Sequence, residues 1–144
     1  MPDLYLVGVD GSEGGHRAFR HAAKAARRDG AVLLVVHVID WSPYTVMPPQ
    51  DLAEQHRRHD QQLAQATADI LEPLAGEARA MGVTVEILAR HGHATAVLTG
   101  LVAERGATLI VVGRHGHSRV HEVLFGSVPL ALVHKAEVPV TVVP

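Results

Sequence analysis

Short apolar runs alternate along the chain with longer stretches in which apolar residues recur every three or four positions. Leu4-Tyr5-Leu6-Val7-Gly8-Val9 is too brief for a helix, stops at the polar turn Asp10-Gly11-Ser12, and reads as a buried strand. Over residues 13–28, Ala18, Phe19, Ala22, Ala25 and Ala26 recur at helical spacing, Lys24, Arg27 and Arg28 fall in the last turns, and Gly30 follows as a cap. Residues 31–38 are an almost unbroken run of valine and leucine, the pattern of a strand covered on both faces in a parallel sheet. Residues 39–50 hold Trp41, Pro43, Pro48 and Pro49 and read as a connection. Residues 51–81 carry Leu63, Ala66, Ile70, Leu74, Ala78 and Met81 on one face, which predicts a long amphipathic helix kinked or divided at Pro73. After Gly82, residues 83–89 alternate into a third strand. Ala94, Val97, Leu98, Leu101 and Val102 mark a third helix closed by Gly106, and residues 108–112 form a fourth strand. A last helix is expected at about residues 127–135. Residues 138–143 complete the pattern as a fifth strand, which Pro139 confines to a sheet edge or a strand start.

Strands separated by helices imply an open, mostly parallel, doubly wound sheet, because parallel neighbours need right-handed helical crossovers. Ligands in such sheets bind beyond the C-terminal strand ends, where the strand order reverses. Two turns carry suitable residues: Asp10-Gly11-Ser12 after the first strand, and Gly113-Arg114-His115-Gly116 after the fourth. Glycine at 113 and 116 lets backbone N–H groups approach an anion, with positive φ open to both residues. Gly126-Ser127 precedes Pro129, a residue suited to a first helical turn, so these residues sit at a helix N-terminus where free N–H groups and the helix dipole favour anions. Loop and helix start together read as a nucleotide-phosphate site, and if strands one and four are neighbours the two turns face one crevice.

Composition narrows the classes. The 144 residues make one domain with no second unit, linker, low-complexity segment or internal repeat. Cysteine is absent, which excludes disulfides and thiolate chemistry, and no apolar run approaches the ~20 residues of a membrane span. With no signal-peptide pattern at the N-terminus, a soluble, cytoplasmic protein is expected. The 13 basic and 15 acidic residues give a net charge of −2, and aromatics make up 3%, so a nucleic-acid partner is not expected.

The spacing Gly113-x-x-Gly116-x9-Gly126-Ser127, with Val9-Asp10-Gly11-Ser12 and the closing Pro139-Val140-Thr141-Val142-Val143, resembles the universal stress protein family in its ATP-binding branch. The resemblance spans residues 1–144. It implies a five-stranded parallel Rossmann-like α/β sandwich of the adenine nucleotide alpha hydrolase-like type, strand order 3-2-1-4-5, and a homodimer. It further implies that Gly8, Val9, Asp10, Gly11 and Ser12 meet adenine and ribose and that Val38 lines the adenine pocket. Val112, Gly113, Arg114, His115 and Gly116 would hold ribose and phosphates with Arg119 nearby, and Gly126, Ser127 and Val128 would close on the outer phosphates. ATP is the implied ligand, with Mg2+ as its companion cation. Pro129 departs from the pattern: it offers neither N–H nor side-chain donor, leaving affinity and phosphate count open.

Other readings stand beside these. Asp10 and Ser12 also suit helix capping, and Gly113 and Gly116 also suit a plain turn. Arg114 and Arg119 also suit a solvated surface, or a charge-assisted phosphate contact. The 11 histidines include His91-Gly92-His93 and His115-Gly116-His117, but no cysteine or helical His-x-x-x-His pair joins them, so no metal site is expected. Walker A lysine and nucleophile-elbow patterns are absent, and backbone amides bind ground and transition states alike, so no catalytic residue is assigned. The expectation is a nucleotide-binding stress-response module with at most weak ATPase activity; a low-turnover adenine-nucleotide hydrolase and a dimeric scaffold with an empty pocket remain the alternatives. The apolar residues 138–143 have no later segment to cover them, which predicts antiparallel pairing with a second copy, with hydrogen bonds mainly from Val140 to Val143.

Overall fold

The structure, a computed structural model, describes residues 1–40, 51–115 and 127–144. The elements follow in the order β1 (Leu4–Val9), α1 (Glu13–Asp29), β2 (Val32–Asp40), α2 (Leu52–Ala66), a π-helical segment (Thr67–Leu71), α3 (Glu72–Ala80), β3 (Val85–Gly92), α4 (Ala94–Arg105), β4 (Leu109–Gly113), α5 (Ser127–Lys135) and β5 (Val140–Val143). All strand pairs are parallel and the order is β3-β2-β1-β4-β5, as the resemblance implies.

The unbroken apolar runs are explained by two packed faces. Val7, Val9, Leu33, Val35 and Val111 point to a layer that holds Phe19 and the alanines of α1 together with Leu71 and Ala78. Their neighbours Leu6, Leu34, Val36, Ile110 and Val112 point the other way, onto Leu98, Leu101 and Leu132. Strand side chains alternate with period two, so a strand covered on both sides must be apolar at every position. Alanine dominates the inner face of α1 because small side chains let the helix lie close to the sheet; Phe19 alone fills the deeper space, fully buried.

Several boundaries move for physical reasons. Strand β2 runs on to Asp40 and β3 to Gly92, because the two continue to pair through Ile39↔His91 and Asp40↔Gly92. Val83, expected in the third strand, instead lies buried in the preceding turn, its N–H on the Ala78 carbonyl at 3.0 Å. The long helix is divided before Pro73 rather than at it. Proline lacks an N–H and its ring collides with the carbonyl four residues back, and the π-helical segment widens the helix just ahead of it. The inserted residue rotates the buried face, so Leu71 and Ala75, absent from the simple helical stripe, are fully buried.

Strand β5 begins after Pro139, at the sheet edge. The carbonyls of Pro139 and Val143 accept from the N–H groups of Ile110 and Arg114 at 3.0 and 2.7 Å. By the two-residue period, Thr141 and Val143 therefore turn their main-chain groups to β4, and only Val140 and Val142 turn theirs to the open edge. The expected outward bonding from all four residues is corrected accordingly. No helix among the described residues is long and apolar enough to cross a membrane.

Candidate functional site

Strands β1 and β4 are neighbours, as the site requires. They pair from Tyr5↔Leu109 only as far as Val7↔Val111. Beyond that point β1 stays with β2 through Val9↔His37, while β4 stays with β5 through Gly113↔Val143. The sheet thus splits at the C-terminal ends of its two central strands, where the strand order reverses. This is the crevice in which open α/β sheets take ligands.

On one rim the turn Asp10-Gly11-Ser12 is built by its own polar groups. Gly11 has φ +83°, a left-handed conformation that favours glycine. The Ser12 N–H donates to Asp10 Oδ1 at 3.0 Å, the Ser12 hydroxyl donates to the same oxygen, and Ser12 Oγ accepts from the Gly15 N–H at 3.1 Å. Ser12 is therefore the N-cap of α1, and Asp10 orients it. Capping and a ligand role are compatible, since both use the helix start.

The other rim is Gly113-Arg114-His115. A Cβ at Gly113 would lie 2.8 Å from the Gly14 carbonyl oxygen, and a Cβ at Gly14 would lie 2.4 Å from the His115 carbonyl oxygen. Gly113 is not in the positive-φ region. A side chain there would collide with the first turn of α1. Gly14, and Gly15 beneath the Asp10 carboxylate, are site-forming residues that the sequence reading missed; the adjacent glycines at a helix start, where glycine has poor propensity, were the available signal.

Arg114 is the polar centre of this rim. Its N–H holds the Val143 carbonyl, and its side-chain Nε is buried without a hydrogen-bond partner. An unsatisfied buried N–H costs about 1–3 kcal/mol, which an anionic oxygen would relieve. The residues present therefore fit a phosphate or similar anion.

Several expected contacts have other occupations. The side chains of Val9 and Val112 are buried in the opposite core layers, so only their main chains are available to a ligand. A Cβ at Gly8 would lie 3.3 Å from Leu98 and 3.5 Å from Val112. Val38 and Val128 are half-buried against the second layer. Ser127 begins α5 and is exposed, and Pro129 is buried. Gly116, Arg119 and Gly126 lie outside the described residues. His37, also missed, donates from Nδ1 to the Val9 carbonyl at 2.8 Å beside the crevice.

The histidine pairs are rearranged. His91 stacks on His59 with ring centroids 4.6 Å apart and donates from Nε2 to the His59 carbonyl at 3.2 Å. With His56, Gln55 and Leu52 they line a cavity of about 440 Å³. No group of three His, Cys, Asp or Glu among the described residues is placed to hold a metal.

A five-stranded parallel sheet split at its strand-order reversal, with a capped helix start on one rim and Gly113-Arg114-His115 on the other, defines a Rossmann-like α/β protein. Residues 4–144 match the universal stress protein family, and the chain belongs to that family. Among solved structures it is similar to universal stress protein UspA from Lactobacillus plantarum, with 23% identity and TM-score 0.84, covering 99% of this chain and 97% of that one. It is also similar to a universal stress protein in complex with cAMP, at 26% identity and TM-score 0.70, covering 99% and 96%. A third relative, from Archaeoglobus fulgidus in complex with dAMP, shows 20% identity and TM-score 0.64, covering 100% and 98%. No curated protein matches the chain.

Proposed function

We propose that this protein binds an adenine nucleotide, ATP with Mg2+, in the crevice between β1 and β4, and acts in the cytoplasm as a homodimeric stress-response regulator rather than as an enzyme. The observation that carries the reading is the split of the sheet beyond Val7 and Val111, rimmed by the Asp10–Ser12 turn and by Arg114 with its unpartnered buried Nε. The cAMP and dAMP complexes of the relatives support an adenine nucleotide as the ligand class. The edge strand β5, with the main-chain groups of Val140 and Val142 unpaired by β4, supports self-pairing. No group is assigned as general base, and fixed amides hold ground and transition states alike, so turnover is expected far below the usual median of about 10 s⁻¹.

A dimeric scaffold with an unused crevice is the second reading. One observation favours it: the glycine at 113 is accounted for by packing on Gly14 without any ligand.

Calorimetry with ATP, and release of bound nucleotide from the purified protein by heat, separate the two. Expected are saturable ATP binding and its loss in Gly126→Asp, where a carboxylate would meet the outer phosphates, with the melting temperature retained. Gly113→Val is a poor test, because its Cβ strikes the Gly14 carbonyl whether or not a ligand exists. Absence of ATP binding in the folded wild type would favour the scaffold.

A further inference from the structure

The inner stripe of the long helix changes character along its length. Ala66 is buried, and Ile70, past the start of the π-helical segment, packs on the first core layer. Earlier on that stripe stands His59, seven residues before Ala66, and with Leu52, Gln55 and His56 it makes one helical face at the spacing i, i+3, i+4, i+7. These four residues and His91, near the end of β3, line the cavity of about 440 Å³. A stripe turned to a sheet is ordinarily apolar, and polar residues on it point to a function.

We infer that this cavity, two strands away from the nucleotide crevice, binds a small organic anion, a carboxylate carried on a flat apolar body, and does so in mild acid. The chemistry of the lining selects that class. Among the described residues it holds imidazoles, an amide and a leucine, and neither carboxylate, lysine nor arginine. Such a lining is neutral or cationic, never anionic. Imidazole changes charge between about pH 5 and 8, so the cationic state belongs to mild acid. His91 donates from Nε2 to the His59 carbonyl at 3.2 Å; a carbonyl only accepts, so Nε2 keeps its proton and Nδ1 is the atom that gains one. The two rings stand 4.6 Å apart between centroids, and charging both sets like charges side by side unless an anion lies with them. The imidazolium N–H groups and the Gln55 amide supply charge-assisted hydrogen bonds to the carboxylate, while Leu52 and the ring faces receive the apolar body. The charges nearby are otherwise engaged or outside the lining. Glu54 pairs with Arg58 on α2 at 3.6 Å and Arg90 of β3 pairs with Glu104 of α4 at 3.0 Å. Asp51, Arg57 and Asp60 of the α2 region, Asp40 of β2 and His93 before α4 do not line the cavity.

The test is calorimetry of the full chain with benzoate at about pH 5.5 and about pH 8, on either side of the imidazole range. Expected is saturable binding in acid that weakens about ten-fold or more at the higher pH, the factor that corresponds to one pKa unit of coupling. Benzamide, which lacks the charge, and inorganic phosphate, which lacks the apolar body, should each bind several-fold more weakly than benzoate in acid. By linkage, benzoate should move the NMR titration midpoints of His56, His59 and His91 to higher pH and leave that of His21 in place. His56→Gln, at an exposed position of α2, should keep the wild-type melting temperature and lose benzoate affinity several-fold; His59→Gln should also flatten the pH dependence. His21→Gln, exposed on α1, removes one histidine elsewhere and should bind benzoate as wild type does. No benzoate binding by the folded protein at about pH 5.5 would overturn the site, and equal affinity at both pH values would overturn the part played by the imidazoles. Phosphate bound as tightly as benzoate would overturn the organic ligand class. An equal loss in His21→Gln and His56→Gln would trace the binding to overall charge and overturn the cavity as its place.

Discussion

The two turns that flank the crevice are made in different ways. The Asp10–Ser12 turn is specified within a few residues: glycine supplies the left-handed step, the aspartate orients the serine, and the serine caps the helix that follows. The Gly113–His115 turn has little of its own. Its shape comes from Gly14, about a hundred residues earlier in the chain, and from Val143, near the end of the last strand. A turn of the first kind tolerates changes elsewhere in the molecule, whereas one of the second kind moves whenever its distant partners move.

The strongest way to break this comparison is Gly14→Ala. Helix propensity alone favours alanine by about 1 kcal/mol, but the new Cβ would stand 2.4 Å from the His115 carbonyl oxygen. If the distant contact governs, the variant should lose about 1–3 kcal/mol in denaturant unfolding, the scale of overpacking. Gly76→Ala is the control: it lies in α3 with nothing within 4 Å of the added Cβ, and should gain about 0.5–1 kcal/mol. Equal gains in both would refute the packing account of the second rim.

A smaller effect is expected at the first rim. Ser12→Ala should cost about 1 kcal/mol through the lost cap, while Ser12→Asn or Ser12→Asp, which keep an acceptor, should recover most of it. A neutral alanine variant would show that the turn is held from outside after all.

The smallest effect is a pH dependence. Glu77 of α3 accepts from His16 at 2.8 Å and from Arg20 at 3.3 Å, fastening α1 near its start. The hydrogen bond from His16, and then that from Arg20, hold its carboxyl below the ordinary value of 4.5. A carboxyl depressed in the folded state contributes stability above its unfolded pKa and loses it as pH falls through the folded value. Glu77→Gln should therefore be less stable than wild type at neutral pH, by no more than about 1 kcal/mol for so exposed a pair, and the gap should close in acid. Melting curves from neutral pH down through the carboxylate range check this, and a gap that persists undiminished once the carboxylates are protonated would reverse the assignment.

Much of this molecule was legible in its residues because the relevant signals are short-ranged. Short unbroken apolar runs, alanines at helical spacing, a serine before a helix and a glycine after one act within a few positions, so the strands, the helices and even the rank of each element follow from spacing. The alternation of strands and helices came through for that reason, whereas the order β3-β2-β1-β4-β5, which makes β1 and β4 neighbours, was implied by the family resemblance. What spacing could not supply were contacts between distant residues. The π-helical turn before Pro73 changed which of Leu71, Ala75 and their neighbours are buried. His91 turned to His59 rather than to His93. The close packing of Gly113 on Gly14 was invisible to spacing. Edge polarity on β5 narrowed to Val140 and Val142 once the ladder with β4 was in place. Local chemistry chooses the elements, because hydrogen bonding and side-chain period repeat over a few residues. Close approach between segments far apart in the chain exists only after the layers have packed, and that packing decided which side of each residue faces the crevice, the core or the open edge.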